Sequence, residues 1–302
     1  MTERIRVGTR RSPLARVQTD LVLARLARKA PGFRFEAVAV DTSGDRDRSI
    51  GSSPDFTDAI DRALLRGEVD LAVHSAKDLP VKLDPRFELL ACPPRVDPRD
   101  CVVVARPKRA ATLPPRARVG SSSLRRRAQL LRWRPDLTVV EIRGNVDTRI
   151  ALVRSGSIDA AVLAVAGLLR LGRSAEIGRA LPLSTFLPAP AQGALAVVGR
   201  AGDPSLAIAV RTVDHRPTRM CVTAERAFAS ELGGDCEVPL GALANVRDRT
   251  LSLIGEVLTR DGRTRLRMHR SGPASEAERI GSRLGRAMGD RGGLDLVSAA
   301  RG

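Results

Sequence analysis

Apolar and polar positions alternate with two periods along the chain, and the change of period marks its elements. "IRVGT" (5–9) has the apolar run of a short strand, and "RRSPLARVQTDLVLARLARK" (10–29) has helical spacing. Ser12 is placed to cap that helix and Pro13 to fill its first turn, with Leu14, Val17, Leu21 and Ala24 along one apolar face. "FRFEAVAV" (33–40) predicts a second strand, and the polar stretch "DTSGDRDRSIGSSPD" (41–55) predicts a mobile loop. A helix near 56–66 and a buried strand, "VDLAVHSA" (69–76), close the first block.

The pattern then repeats. "CPPRVDPRD" (92–100) is a linker and "CVVVA" a strand, while "ARVGSSSLRRRAQLLRWRPD", "LTVVEIRGNVDTRIALVRSG" and "IDAAVLAVAGLLRLG" each run from strand to helix. Such recurrence, in two blocks, predicts α/β folding around mostly parallel sheets. Beyond "LPAPAQGALAVVGR" (187–200) the character changes. Residues 203–232 have a helical pattern starting at Asp203-Pro204. "LSLIGEVLTRDGRTRLRMHR" alternates around Asp261-Gly262 as an antiparallel hairpin, and a last helix is expected over 274–289. This third block has the character of a small α+β domain.

Length and composition narrow the function. The chain has 302 residues, enough for two or three domains, and its cores must be aliphatic, since it holds no Tyr, one Trp and six Phe. Its net charge of +17 suits an acidic partner. Nucleic acid fits poorly, because single-strand binding needs aromatic stacking platforms. Cys92, Cys101, Cys221 and Cys236 have no CxxC or Cys/His spacing, so no metal site is expected. The first three lie in apolar runs and read as small core residues. Without a signal peptide or an apolar run of about 18–20 residues, a cytosolic protein with no membrane partner is expected.

Ligands of parallel α/β sheets gather at the carboxyl ends of the strands, against helix N-termini. Four such loops here carry cations and hydroxyls: Thr9, Arg10, Arg11 and Ser12; Lys77 and Asp78; Ser121, Ser122, Ser123, Arg125 and Arg126; Arg143, Gly144, Asn145 and Arg149. Arginine forks with serine hydroxyls suit carboxylates or phosphates. There is no GxxxxGK[ST] loop, and "GTRRSP" is not GxGxxG, so a substrate with many carboxylates is favoured over a nucleotide. Asp78 is the acid among these cations, able to balance a cationic intermediate or move protons, or else a helix cap in "KDLP". His74 reads as a packed core residue.

With these stretches in view the sequence resembles the porphobilinogen deaminase (hydroxymethylbilane synthase) family. The resemblance is carried by "TRRSPLA" (9–15), "DLAVHSAKDLP" (70–80), "DPRD" (97–100), "GSSSLRRRAQL" (120–130), "RGNVDTR" (143–149), "LAVAGLLRLG" (163–172), "PAQGAL" (190–195), "VTAERAF" (222–228) and "GGDCEVPLGA" (233–242). It implies two domains similar to periplasmic binding proteins, 1–93 with 194–211 and 99–187, plus a C-terminal domain over 216–302. It also implies a monomer carrying a covalent dipyrromethane cofactor on a thioether to Cys236. Four porphobilinogens would be joined head to tail with loss of ammonia, and water would release the linear tetrapyrrole.

Carried over by position, Asp78 would be catalytic. Lys77, Ser122, Ser123, Arg125, Arg126 and Gly144 would hold the cofactor, and Arg10, Ser12, Phe56, Arg143, Arg149, Arg170 and Gln192 the substrate. The chain departs from the family pattern at a shortened lid, "DRDRSIGSSPDF" (45–56), at Asp235 before the cysteine, and at Ala191 where glycine is usual. Those departures leave two alternatives: a paralogue acting on a modified pyrrole or making another chain length, and a non-catalytic binder of a polycarboxylate or linear pyrrole.

Overall fold

The computed structural model describes residues 3–41, 57–105, 113–234 and 238–301. The loop expected at 41–55 therefore lies outside the described residues beyond Asp41, as do Phe56, Asp235 and Cys236. The chain groups into two compact units, Met1–Val96 with Ala194–Arg219, and Asp97–Gly193 with Met220–Gly302.

The first unit is built on strands β1 (Glu3–Arg10), β2 (Phe33–Val40), β3 (Leu71–Ser75), β4 (Phe87–Ala91) and β10 (Leu195–Arg200), in the order β2-β1-β3-β10-β4. β1 runs parallel to β2 and β3, whereas β10 is antiparallel to both its neighbours. Four strands thus share one direction, as the repeating pattern requires, and the reversed one comes from the second segment of the unit, about a hundred residues after β4. Helices α1 (Pro13–Lys29), α2 (Asp58–Leu65) and α6 (Pro204–Arg211) belong to this unit. Ile5, Val7, Leu71, Val73 and Val197 from the sheet pack with Val22 and Leu26 of α1.

Ser12 caps α1 with Pro13 in its first turn, as expected, but the face expected of the helix is wrong. Its buried row is Gln18, Thr19, Val22 and Leu26, while Leu21 is 40% exposed and Ala24 faces solvent. The reason is polar: the Gln18 amide donates to the Ser75 hydroxyl at the end of β3 (2.9 Å), and this contact belongs to the row at i, i+4 and i+8.

The second unit repeats the plan with β5 (Asp100–Val104), β6 (Arg118–Gly120), β7 (Thr138–Val140), β8 (Ala160–Ala164) and β9 (Arg179–Ala180), ordered β7-β6-β8-β5-β9 with β5 reversed. Helices α3 (Leu124–Trp133), α4 (Val146–Arg154) and α5 (Val165–Arg170) follow its strands. Cys101 and Val103 enter one core and Val102 the other, so both faces of the sheet are covered. Strands buried on two faces need continuous apolar runs, which is why "CVVVA" and "AAVLA" show no alternation.

The C-terminal block of this unit is the antiparallel sheet β11 (Leu240–Arg247), β12 (Thr250–Leu258), β13 (Arg265–Pro273), with α8 (Ala277–Met288) and α9 (Leu294–Arg301). The expected hairpin is there, pairing Leu258 with Arg265 around Gly262. The helical run expected over 203–232 is two helices, α6 and α7 (Arg216–Glu231). They separate at a clamp in which Asp214 accepts the Cys92 N–H and the His215 N–H donates to the Cys92 carbonyl, both at 2.8 Å. No described helix is long and apolar enough to cross a membrane.

Candidate functional site

The candidate residues of the first unit stand where strands end. Arg10 is the last residue of β1, and Ser12 spends its hydroxyl on the Ala15 N–H at 3.4 Å as the cap of α1. Arg11 pairs at the surface with Asp41 (2.6 Å). β3 passes into a single tight turn, Ala76–Asp78, which presents Lys77 half-buried and Asp78 exposed. Asp78 is not a helix cap: the turn ends there and Leu79 is extended. No ion pair holds its carboxylate among the described residues. His74 is buried in β3, as expected of a core residue, and burial with the nearby Arg10 charge lowers its pKa to about 4.

In the second unit β6 stops at Gly120, and three serines turn the chain into α3. The Ser121 hydroxyl accepts the Ser123 N–H (3.2 Å), and Ser123 caps α3 by accepting the Arg126 N–H (3.4 Å). β7 leads to Arg143, paired with Glu141 at 2.6 Å. Gly144 then takes φ +100°, where the Thr148 side chain also leaves no room for a Cβ. Asn145 caps α4 on the Thr148 N–H (2.9 Å). That cap aims Arg149 back across the turn, so that it donates to the Gly144 carbonyl (3.0 Å) and the Ser122 hydroxyl (3.5 Å). Arg143, Gly144, Arg149 and Ser122 are thereby brought together. Arg170, the last residue of α5, donates to the Gly193 carbonyl at 2.7 Å.

Three residues expected to meet ligand are turned inward instead. Arg125 and Arg126 are 4% and 6% exposed. Arg125 donates to Asp100 (2.8 Å), Gln129 (3.1 Å) and the Leu187 carbonyl (2.8 Å). Arg126 makes a two-point contact with Asp100 (2.7 and 3.1 Å) and a third with the Val162 carbonyl (3.1 Å). Gln192, 1% exposed, donates to Asp100 (3.0 Å) and to the Pro98 carbonyl (2.8 Å). The cause is Asp100, wholly buried at the start of β5, whose ionised carboxylate must be matched by cations and donors. Those cations hold its pKa far below the usual carboxylate range against the cost of burial.

Sequence reasoning missed Asp100, although it ends the "DPRD" motif. It also missed Glu225, which is buried in α7 and accepts the N–H groups of Ala191 (2.5 Å) and Ala244 (2.7 Å). A further omission was Glu256, buried in β12 and bound by Gln129 (3.0 Å). A charged residue within an apolar run was the available signal for Glu256. Among the described residues no group of His, Cys, Asp or Glu is placed to hold a metal ion.

The exposed part of this arrangement has a clear chemical preference. Burial, then the charges of Arg126 and Arg143, lower the pKa of Arg149 to about 10. Cations crowded beside serine hydroxyls and two capped helix starts are relieved by carboxylates. Comparison with known proteins settles the family. The model of the porphobilinogen deaminase dipyromethane cofactor binding domain matches residues 5–207, and that of the porphobilinogen deaminase C-terminal domain matches 219–290.

The chain belongs to the porphobilinogen deaminase family.

The porphobilinogen deaminase of Roseiflexus sp. (strain RS-1) is 44% identical over 303 residues, covering 99% of this chain and 100% of the relative. That of Thermus thermophilus is 44% identical over 296 residues, covering 98% of each. Among solved structures, the VFT2 domain of Bordetella pertussis BvgS has a TM-score of 0.43 at 19% identity, covering 70% of this chain and 86% of that one. The dipyrromethane named by the family model bears acidic side chains, and the Ser122, Arg143 and Arg149 donor set fits them. Cys236, its expected attachment point in a porphobilinogen deaminase, lies outside the described residues.

Proposed function

We propose that this chain is an active porphobilinogen deaminase, a hydroxymethylbilane synthase, working in the cytosol as a monomer with no nucleic acid or membrane partner. It joins four porphobilinogens head to tail on a dipyrromethane anchored by a thioether to Cys236. The observation that carries this reading is the cationic cluster of Arg143 and Arg149 over the Ser121–Ser123 turn, which suits a chain bearing acetate and propionate groups. The three-part division into 1–93 with 194–211, 99–187 and 216–302 belongs to the same reading, its last part carrying the cysteine. When bound, the dipyrromethane supplies the pyrrole carbon to which the first porphobilinogen is joined.

The residues then have separate tasks. Each joining step breaks the carbon–nitrogen bond of an aminomethyl group, held as its ammonium, and the C–H bond of the terminal pyrrole carbon, forms a carbon–carbon bond between them, and releases ammonia and a proton. Asp78, exposed at the end of β3 and without an ion-pair partner among the described residues, stabilises the positive pyrrole nitrogens and takes up the proton. Arg10 and Lys77 flank it at the ends of β1 and β3, where they hold substrate carboxylates. Arg143 and Arg149, with Ser122, bind the carboxylates of cofactor and growing chain. Ser12, Ser123 and Gly144 shape the turns, and Arg170 fixes the segment at Gly193.

The test is intact mass of the protein made in cells that produce porphobilinogen. A gain equal to two linked pyrroles is expected, lost in Cys236→Ser. Asp78→Ala should keep the added mass and the fold while turnover falls about 100-fold or more, the usual scale of a lost acid–base group. An unmodified wild type would overturn the reading in favour of a binding protein. A loaded protein that releases no tetrapyrrole would favour the paralogue.

A further inference from the structure

Away from the serine turn, the second unit carries an ionic ladder between α4 and the turn that follows α5. Asp147 lies in the first turn of α4 and Arg154 is its last residue. Seven residues apart at about 100° each, the two share one face of the helix. Asp147 pairs with Arg173, and Arg154 with Glu176. A diagonal contact from Arg173 to Glu176 at 3.9 Å completes the ladder. The Glu176 side chain, in the single turn Ser174–Glu176, is 13% exposed, so this rail of the ladder is largely shielded from water.

Each rail bears a residue of the candidate site. Gly172 ends α5 at φ +68°, and the Arg173 N–H bonds back to the Leu168 carbonyl (2.8 Å). Arg173 is thereby mounted on the helix whose last residue, Arg170, holds the Gly193 carbonyl (2.7 Å). On the other rail, α4 is nine residues long and its buried residues are Ile150 and Val153 alone. So small an apolar contact resists a roll of the helix about its axis poorly. Arg149 is what a roll would displace, taking it from the Gly144 carbonyl (3.0 Å) and the Ser122 hydroxyl (3.5 Å). Asp147, about 200° round the helix from Arg149, is placed to oppose that roll through Arg173. One exposed ion pair alone would contribute little, but four charges in a single network hold a geometry better. We infer that Asp147 and Arg173 are positioning residues of the deaminase reaction: through them the end of α5 sets the roll of α4, and so the place where the Arg149 guanidinium meets substrate carboxylate. This inference rests on the proposed function.

The experiment compares wild type, Asp147→Asn, Arg173→Gln, the double variant and Arg173→Lys, all made in cells that supply porphobilinogen. Melting temperature, the fraction carrying the two-pyrrole mass, and KM and kcat of the loaded protein are measured. Each uncharged single variant should raise KM for porphobilinogen by up to about fivefold, the scale of an exposed ion-pair network, with kcat changed much less. Since the two residues act through one contact, the double variant should go no further than the worse single one. Arg173→Lys, which keeps the cation, should stay nearer to wild type than Arg173→Gln.

A raised KM or a lowered loaded fraction with that non-additive pattern supports the inference. KM and loading both at the wild-type value overturn it, however far the melting temperature falls, since a purely structural pair behaves that way. Effects that multiply in the double variant also overturn it, because the two residues would then act separately. If Asp147→Asn does not fold, Arg173→Gln decides alone: a raised KM or lowered loading there supports the inference, and wild-type values refute it. Wild type without the added mass would overturn the proposed function, and this inference with it. A loaded wild type beside unaffected variants refutes the positioning role alone.

Discussion

Arg149 is largely buried, donates to a backbone carbonyl and a serine, and feels the charges of Arg126 and Arg143, and this makes it the titratable part of the proposed carboxylate-binding face. Its lowered pKa, about 10, means that the cation is intact below that pH and is lost as pH rises through it. KM for porphobilinogen should therefore climb between about pH 9 and pH 11, as the pairing with carboxylate disappears. Arg149→Gln should raise KM about tenfold at pH 8 and flatten that alkaline rise, measured as KM against pH.

His74 titrates in the opposite range. Burial depresses its folded-state pKa from 6.5 to about 4, so the unfolded chain binds the proton first. Stability is complete above about pH 6.5 and declines as pH falls towards 4, by about 3 kcal/mol at most. Urea denaturation of His74→Gln at pH 7 and pH 4.5 should show a smaller acid loss than wild type. Asp78 and Arg143 were legible as candidates because each lies in a loop after a predicted strand, and Arg149 because it follows in the first turn of the next helix. The inward turn of Arg125 and Arg126 was not, because it depends on Asp100, some 25 residues earlier and unremarkable in a linker.

Among the elements, the β11–β12 hairpin escaped the sequence reading and the β12–β13 hairpin did not. The second is announced by Asp261-Gly262, with Gly262 at φ +72°. The first turns on Asp248 and Arg249, both left-handed at φ +47° and +66°, in a two-residue loop between the paired Arg247 and Thr250. Such a turn favours Asn-Gly, and a side chain at each position costs energy there. Replacing Asp248-Arg249 by Asn-Gly should raise stability by up to about 1 kcal/mol, read from the urea midpoint at unchanged slope. The α1 face was misread for a related reason: hydropathy alone could not show that Gln18 is the residue facing the sheet.

Within the second unit, the C-terminal sheet is fastened to the α/β block at the tip of its clear hairpin. Arg132 of α3 donates to the carbonyls of Gly262 (3.3 Å) and Arg263 (3.2 Å). A Cβ on Gly262 would overlap the Ala128 carbonyl oxygen, so glycine is required there by both contact and φ. Gly262→Ala should cost about 2 kcal/mol or more in thermal denaturation and lower the cofactor-loaded fraction, because the block that follows Cys236 would lose its seat on α3.

The reversed strand β10 has a consequence for biosynthesis on the ribosome. It lies between β3 and β4 in space but more than a hundred residues after them in sequence. Until residue 200 has emerged, β3 has an open edge and β4 has no strand to pair with. At roughly 5–20 residues per second the wait lasts several seconds. The sheet of the second unit needs only segments between 100 and 180, so it can close while the earlier-made sheet is still incomplete. The part of the chain synthesised first is thus finished late, and during that interval its open strand edges are exposed to pairing with other chains.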